Sequence, residues 1–151
     1  MRIVVLVGLP GSGKSTYLEK LGAAGLASDK IRLWLADDET DQTVQVRVFQ
    51  TLRYLLRQRL AIGRPVTYID ATNLTPRERR PYLEIASKRG CAAEAIFFDV
   101  PLDVCRKRNQ RRSRVVPDDV MLRMSARLTP PTEAEGFARI TVVKERVGPV
   151  V

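Results

Sequence analysis

The run Gly8-Leu9-Pro10-Gly11-Ser12-Gly13-Lys14-Ser15 has Gly-x-x-x-x-Gly-Lys-Ser spacing, that of a loop that wraps a polyphosphate. Glycines let backbone N–H groups curl around a β-phosphate where a Cβ would obstruct the approach. Lys14 would neutralise β- and γ-phosphate charge, and the Ser15 hydroxyl would coordinate Mg²⁺. Gly8, Gly11, Ser12, Gly13, Lys14, Ser15 and Thr16 are therefore the candidate ATP (or other NTP) contacts, with Ser15 the metal ligand.

Phosphoryl transfer to a hydroxyl also needs a carboxylate to orient that hydroxyl and take its proton. Asp29 and Arg32 are three apart and share a helical face, so one can hold an acceptor hydroxyl while the other grips an adjacent phosphate. The plainer reading makes Asp29 a helix cap with Arg32 its exposed partner. Asp70 closes an apolar strand, where a carboxylate needs a partner. It could bind a magnesium-bound water, pair with Arg32, or cap the Ala71-Thr72-Asn73 turn.

Late in the chain, the segment from Arg106 to Arg114 carries six cations in nine residues. Such a run is either a solvated helix face or a lid that brings guanidinium groups to a transferring phosphoryl. Arg108 and Arg112 are four apart, so on a helix both would reach one triphosphate.

These residues need elements to position them. Ile3 to Val7 reads as a strand buried on both faces, followed by a helix from Lys14 to about Leu21. Leu26 to Ser28 reads as a short strand, with a helix opening near Asp29. A long helix from Thr43 carries Val44, Val48, Leu52, Leu55 and Leu56 on one face until Gly63 and Pro65. Val66 to Ile69 is a strand, and Thr75-Pro76-Arg77-Glu78 is a capping box opening a helix that Gly90 ends. Ala93 to Phe98 is a strand, Pro101 and Pro117 open helices, and Ile140 to Val143 is the last strand. Alternating strands and helices predict an α/β fold: a parallel sheet of about five strands, helices on both faces, and an Arg-rich helical lid over about 101–117.

The length, 151 residues, suits one domain over 1–151. Lys plus Arg number 26 against 17 acidic residues, a net charge of +9 that attracts polyanions. Aromatics make up only 6%, so base stacking has few platforms; Trp34 and Phe49 are expected in the core, and Tyr17 is expected to pack rather than stack on a base. No histidine and no metal-ligand cysteine spacing is present. Cys91 and Cys105, expected as one buried and one helical thiol, fit a cytoplasmic protein. The opening apolar run breaks at Gly8 and predicts a strand, not a signal peptide or a membrane span. A GTPase would need a guanine-reading Asn-Lys-x-Asp, which is missing, and large ATPase motors need more chain, so a compact kinase fits best.

At this level the chain resembles the 5′-hydroxyl polynucleotide kinases. The matching blocks are Gly8 to Thr16, Asp29-x-x-Arg32, Asp70-Ala-Thr-Asn-Leu-Thr-Pro-Arg-Glu-Arg80, Phe98-Asp-Val-Pro, Lys107-Arg-Asn and Val116-Pro-Asp-Asp-Val120. The resemblance implies that Asp29 is the general base for a 5′-hydroxyl, that Arg32 holds the phosphate 3′ of the terminal nucleoside, and that Asp70 supports the acceptor site. It implies that Arg108 and Arg112 act from the lid, Arg112 matching the essential arginine. Nucleic acid is then the favoured partner. The chain lacks an Asp-x-Asp-Gly-Thr phosphatase motif, so 3′-end repair is not carried over. Its segment between Arg32 and Val66 and its lid are shorter than in the phage enzyme, which leaves RNA and DNA both open as acceptors. Related kinases of sugars, antibiotics or peptidoglycan precursors share the loop and lid logic and form the alternative. A nucleotide-dependent binding module without transfer is the third reading.

Overall fold

The structure, a computed structural model, describes residues 1–144; residues 145–151, the end of the expected domain span, lie outside the described residues. The apolar strand β1 (Arg2–Val7) takes the centre of the sheet, where both of its faces are covered. It pairs in parallel with β3 (Val66–Asp70) on one side and β4 (Ala92–Asp99) on the other. β2 (Leu26–Ala27) adds to β3 and β5 (Arg139–Lys144) to β4, giving the order β2-β3-β1-β4-β5 with every pairing parallel. Successive β1 side chains point to opposite faces. Ile3, Val5 and Val7 pack with α3 (Gln45–Ala61) and α4 (Pro76–Arg89), while Val4 and Leu6 pack with Leu18 of α1 (Lys14–Lys20). The predicted five-stranded parallel sheet with helices on both faces is what forms.

The third apolar cluster joins the lid to the loop. Cys105 of α5 (Leu102–Gln110) and Met121 of α6 (Asp118–Arg127) pack with Leu9 and Leu74. Parallel pairing puts all strand carboxyl ends on one edge, where open α/β sheets bind ligands. Gly8 follows β1, Ser28 and Asp29 open α2 (Ser28–Ala36) straight after β2, and Asp70 ends β3. Three segments far apart in sequence thus meet at one edge.

Several expectations shift in detail. The long helix begins at Gln45 behind a 3₁₀ turn over Gln42–Val44, where the Asp41 carboxylate accepts from the Thr43 N–H; its buried row is Val48, Leu52, Leu56 and Leu60. At α4 the Thr75 hydroxyl accepts from the Glu78 N–H, but Glu78 reaches back to the Leu74 N–H rather than to that of Thr75. The chain enters this helix through Asn73 at φ +48°, which brings the Leu74 amide over the first turn. Trp34 is not in the core: it is 68% exposed, between exposed Leu33 and Leu35. The strand it follows is two residues long and sits at the sheet edge, so Ile31 alone of the α2 apolar residues finds sheet beneath it. Phe49 packs against the core half-buried, and Tyr17 packs edge-on against Phe98. Cys105 is both the buried and the helical thiol, with Cys91 half-buried outside the helices. No helix among the described residues is long and apolar enough to cross a membrane.

Candidate active site

The loop between β1 and α1 keeps its shape through close approaches that only glycine permits at two points. Gly11 has φ +82°, and a Cβ there would lie 2.5 Å from the Cys105 carbonyl oxygen of α5. A Cβ on Gly8 would lie 2.6 Å from the Ser12 hydroxyl. The floor is held by Asn73, which donates from its side chain to the Leu6 carbonyl at 2.7 Å, and by the Gly8 N–H, which donates to the Thr72 carbonyl at 3.0 Å. Asn73 was not among the expected site residues, although the resemblance block contains it.

This cradle leaves donors open. The Ser12 hydroxyl is buried with no hydrogen-bond partner, and the N–H groups of Lys14, Ser15 and Thr16 donate to no described residue. An orphaned buried hydroxyl beside unpaired amides at a helix start fits a polyphosphate. Lys14 is buried and donates to the Gly8 and Leu9 carbonyls, both at 2.8 Å. Burial pulls its pKa down to about 8, with Asp70 opposing and Arg112 reinforcing the shift.

Asp70 takes the Ser15 hydroxyl at 3.2 Å, and burial pushes its carboxyl above the ordinary value, with Lys14 pulling the other way. Two of its three readings have no bond behind them among the described residues. No ion pair joins Asp70 to Arg32 among the described residues, because Arg32 is turned toward Asp29; the turn after β3 is held by Asn73, not by an Asp70 cap. Ser15 and Asp70 present two hard oxygens side by side, and no cluster of three or more acidic or cysteine ligands exists among the described residues. That donor set suits Mg²⁺, which keeps most of its shell as water and phosphate oxygens, and does not suit an all-protein cage.

Asp29 sits in the first turn of α2, whose cap residue is Ala27 with no side-chain cap bond, so Asp29 is not a helix cap. Its carboxylate lines the same cleft as Lys14 and is ringed by arginines. The Asp29 Oδ1 atom accepts from Arg32 at 2.8 Å and from Arg114 at 2.5 Å, and Arg112 lies 3.9 Å from Oδ2. Arg32 is buried rather than exposed. One of its nitrogens donates to the Gln45 carboxamide at the start of α3, while its Nε has no partner.

The two lid arginines do not share one helix face. α5 ends at Gln110 because buried Asn109 clamps Val116 through both backbone groups, at 2.7 and 3.0 Å, and folds the chain back. Arg108, on the helix, approaches the loop with a guanidinium nitrogen 3.8 Å from where a Gly13 Cβ would stand. Arg112, past the helix end, faces Lys14 and Asp29 instead. The sequence reading missed Arg114 and Gln45. Arg114 was visible only as the last cation of the run, and nothing in the local sequence pointed to Gln45. A bidentate pair between Arg106 and Asp118, at 2.6 and 2.7 Å, ties α5 to α6. The cleft enclosed by these parts has a volume of about 1520 Å³, enough for a nucleotide beside a second substrate.

The chain is similar to known proteins in sequence and in fold. In sequence the chain is similar to the L-seryl-tRNA(Sec) kinase of Methanococcus maripaludis, 24% identical over 136 residues, which is 85% of this chain and 53% of that protein. The chain thus spans about half the length of this curated relative. In fold it is similar to a putative kinase from Chloroflexus aurantiacus, with TM-score 0.74, 14% identity, and coverage of 95% of this chain and 84% of that one. It is also similar to a sugar kinase from Janibacter sp., with TM-score 0.66, 18% identity, and coverage of 95% and 85%. Residues 3–131 match the AAA domain family, and with that match over most of its length the chain belongs to this family.

Proposed function

We propose that this chain transfers the γ-phosphoryl of ATP, or of another NTP, to the 5′-hydroxyl end of RNA or DNA, with residues 1–151 acting as one cytoplasmic kinase domain under a lid at about 101–117. The observation that carries the reading is the set of three guanidinium groups around Asp29. One carboxylate cannot neutralise three cations, so the acceptor side of the cleft keeps positive charge beside the base. An acceptor hydroxyl with an anion next to it answers that charge, and a 5′-hydroxyl followed by its first phosphodiester is such a group.

In this mechanism Asp29 accepts the proton of the 5′-hydroxyl as its oxygen bonds to the γ-phosphorus, and the bond from that phosphorus to the bridging oxygen breaks to release the nucleoside diphosphate. Lys14, Arg108 and Arg112 stabilise the charge spreading over the transferring group. Ser15, with Asp70 beside it, would hold Mg²⁺, which supplies charge neutralisation at the phosphates. Arg32 and Arg114 release part of their hold on Asp29 to take the acceptor phosphate.

A second reading, a kinase of a small hydroxyl compound, is supported by the similarity in fold to a sugar kinase. Incubation with γ-labelled ATP, 5′-hydroxyl oligonucleotides and a panel of sugars separates the two. Label on an oligonucleotide end is the expected result. Label on a sugar and on no oligonucleotide would transfer the reading to the second class.

A further inference from the structure

A second basic depression lies outside the cleft, between α3 and α4, with a volume of about 410 Å³. Arg53 and Arg57 line it from α3, and Lys88 and Arg89 from α4, with Glu84 as its one acid. None of these four cations forms an ion pair among the described residues. Some surface charges outside the groove do pair, as in Arg106 with Asp118 and Arg127 with Glu78. Four cations left unpaired around one concavity make a polyanion site rather than a salt-bridged solvent face.

The depression is connected to the active site by one row of α3. Gln45 and Phe49 line the cleft, and Arg53 and Arg57 continue the same i, i+4 row into the groove. That row stays three residues behind the buried row Val48, Leu52, Leu56 and Leu60, so it flanks the core-facing side along the whole helix. Arg57 stands just over three turns from Gln45, about 18 Å at 1.5 Å per residue. That span matches roughly five phosphates of a helical strand at 3.4 Å each.

We infer that the α3–α4 groove is a second footing for the acceptor strand, in which Arg53, Arg57, Lys88 and Arg89 take the phosphodiester backbone of the nucleotides that follow the reacting end. The inference rests on the polynucleotide reading of the acceptor. It predicts that long acceptors bind better than short ones through charge alone, with no base preference, since the groove offers guanidinium and ammonium groups and no exposed aromatic ring.

The test uses the whole chain, a fluorescent 5′-hydroxyl dodecanucleotide and an unlabelled 5′-hydroxyl dinucleotide. Arg53→Ala with Arg57→Ala should weaken dodecanucleotide binding on the order of tenfold at moderate salt. The same pair should flatten the log–log salt slope by about 1.4, since each phosphate of a single strand that is no longer neutralised removes about 0.7. The dinucleotide KM should not change, because it cannot span the distance. Glu84→Gln, which removes the groove's acid, should tighten dodecanucleotide binding and serves if the double variant does not fold. Unchanged binding and slope in a folded double variant, no tightening in Glu84→Gln, or an equal rise in KM for both acceptors would overturn the groove. If the strand binds through Arg53 and Arg57 but no oligonucleotide is phosphorylated, the groove stands and the 5′-kinase reading falls; phosphorylation without groove dependence means the reverse.

Discussion

Lys14 gathers opposing forces on a single ammonium group. Burial disfavours its charge and Asp70 supports it, leaving a pKa of about 8 against the ordinary 10.5. The free folded chain therefore binds fewer protons than the unfolded chain between pH 8 and 10.5, so raising the pH through that window stabilises it. Below 8 the cost of the buried ammonium is fully present. An entering polyphosphate restores the charge and lifts the pKa, so nucleotide binding should take up protons at about pH 8.5 and weaken as pH rises further. Calorimetry in two buffers of different ionisation heat measures that uptake, and Lys14→Met should abolish it; zero uptake in the unmodified chain would contradict this account. Two neighbours divide the acceptor side. Asp29→Asn keeps the shape but loses the base, so kcat should fall by about 10²–10⁴ with nucleotide binding retained. Arg114→Ala removes a charged hydrogen bond worth about 1.5–3 kcal/mol before solvent screening, so the acceptor KM should rise roughly tenfold while the KM for ATP holds. A change in the KM for ATP instead would place Arg114 on the donor side.

At the scale of elements, the site is made by how α5 meets the loop and how the lid folds back. The Cys105 carbonyl fills the space a Gly11 side chain would need, so the loop packs directly on the backbone of the lid helix. Asn109 then bends the lid through its two bonds to Val116. Asn109→Ala leaves the Val116 N–H and C=O unpaired in a buried place, a loss of about 1–3 kcal/mol by cost per unpaired group. The KM values for ATP and acceptor should rise together, since Arg112 and Arg114 both hang from that bend; a fall in Tm with both KM values unchanged would separate the clamp from the site. The same interactions show where the sequence was readable. β1 and the loop were plain because an apolar β-branched run and a glycine spacing are local signals, and Asp29 with Arg32 followed from helical spacing alone. The lid was misread as one helix face because Asn109 ends α5 through a partner seven residues on, which no helical period reports. Trp34 was misplaced for a similar reason, since its exposure depends on β2 being a two-residue edge strand. Gln45 and Arg114 reach Arg32 and Asp29 from elements 13 and 85 residues away, so only packing could identify them.

On the scale of the whole molecule, the net charge of +9 sharpens into a question about its acceptor. The curated relative extends well beyond the matched region, so acceptor recognition is not carried over with the match. It must be argued from the residues at hand. A compact sugar acceptor brings no phosphates, and its KM should be almost flat in salt. A strand that engages Arg32 and Arg114 in the cleft together with Arg53 and Arg57 of the groove neutralises about four phosphates before Lys88 and Arg89 add theirs, a log–log slope of about −3 or steeper for a single strand. Raising salt from about 50 to 200 mM should then raise the oligonucleotide KM on the order of 50-fold. The KM for ATP, measured alongside, reports screening at the donor loop, so the difference between the two isolates the acceptor. A slope of about −1.4 would mean that the groove cations face solvent and that the cleft alone holds the strand, and a flat oligonucleotide KM would mean that no phosphate is engaged and would count against the polynucleotide acceptor.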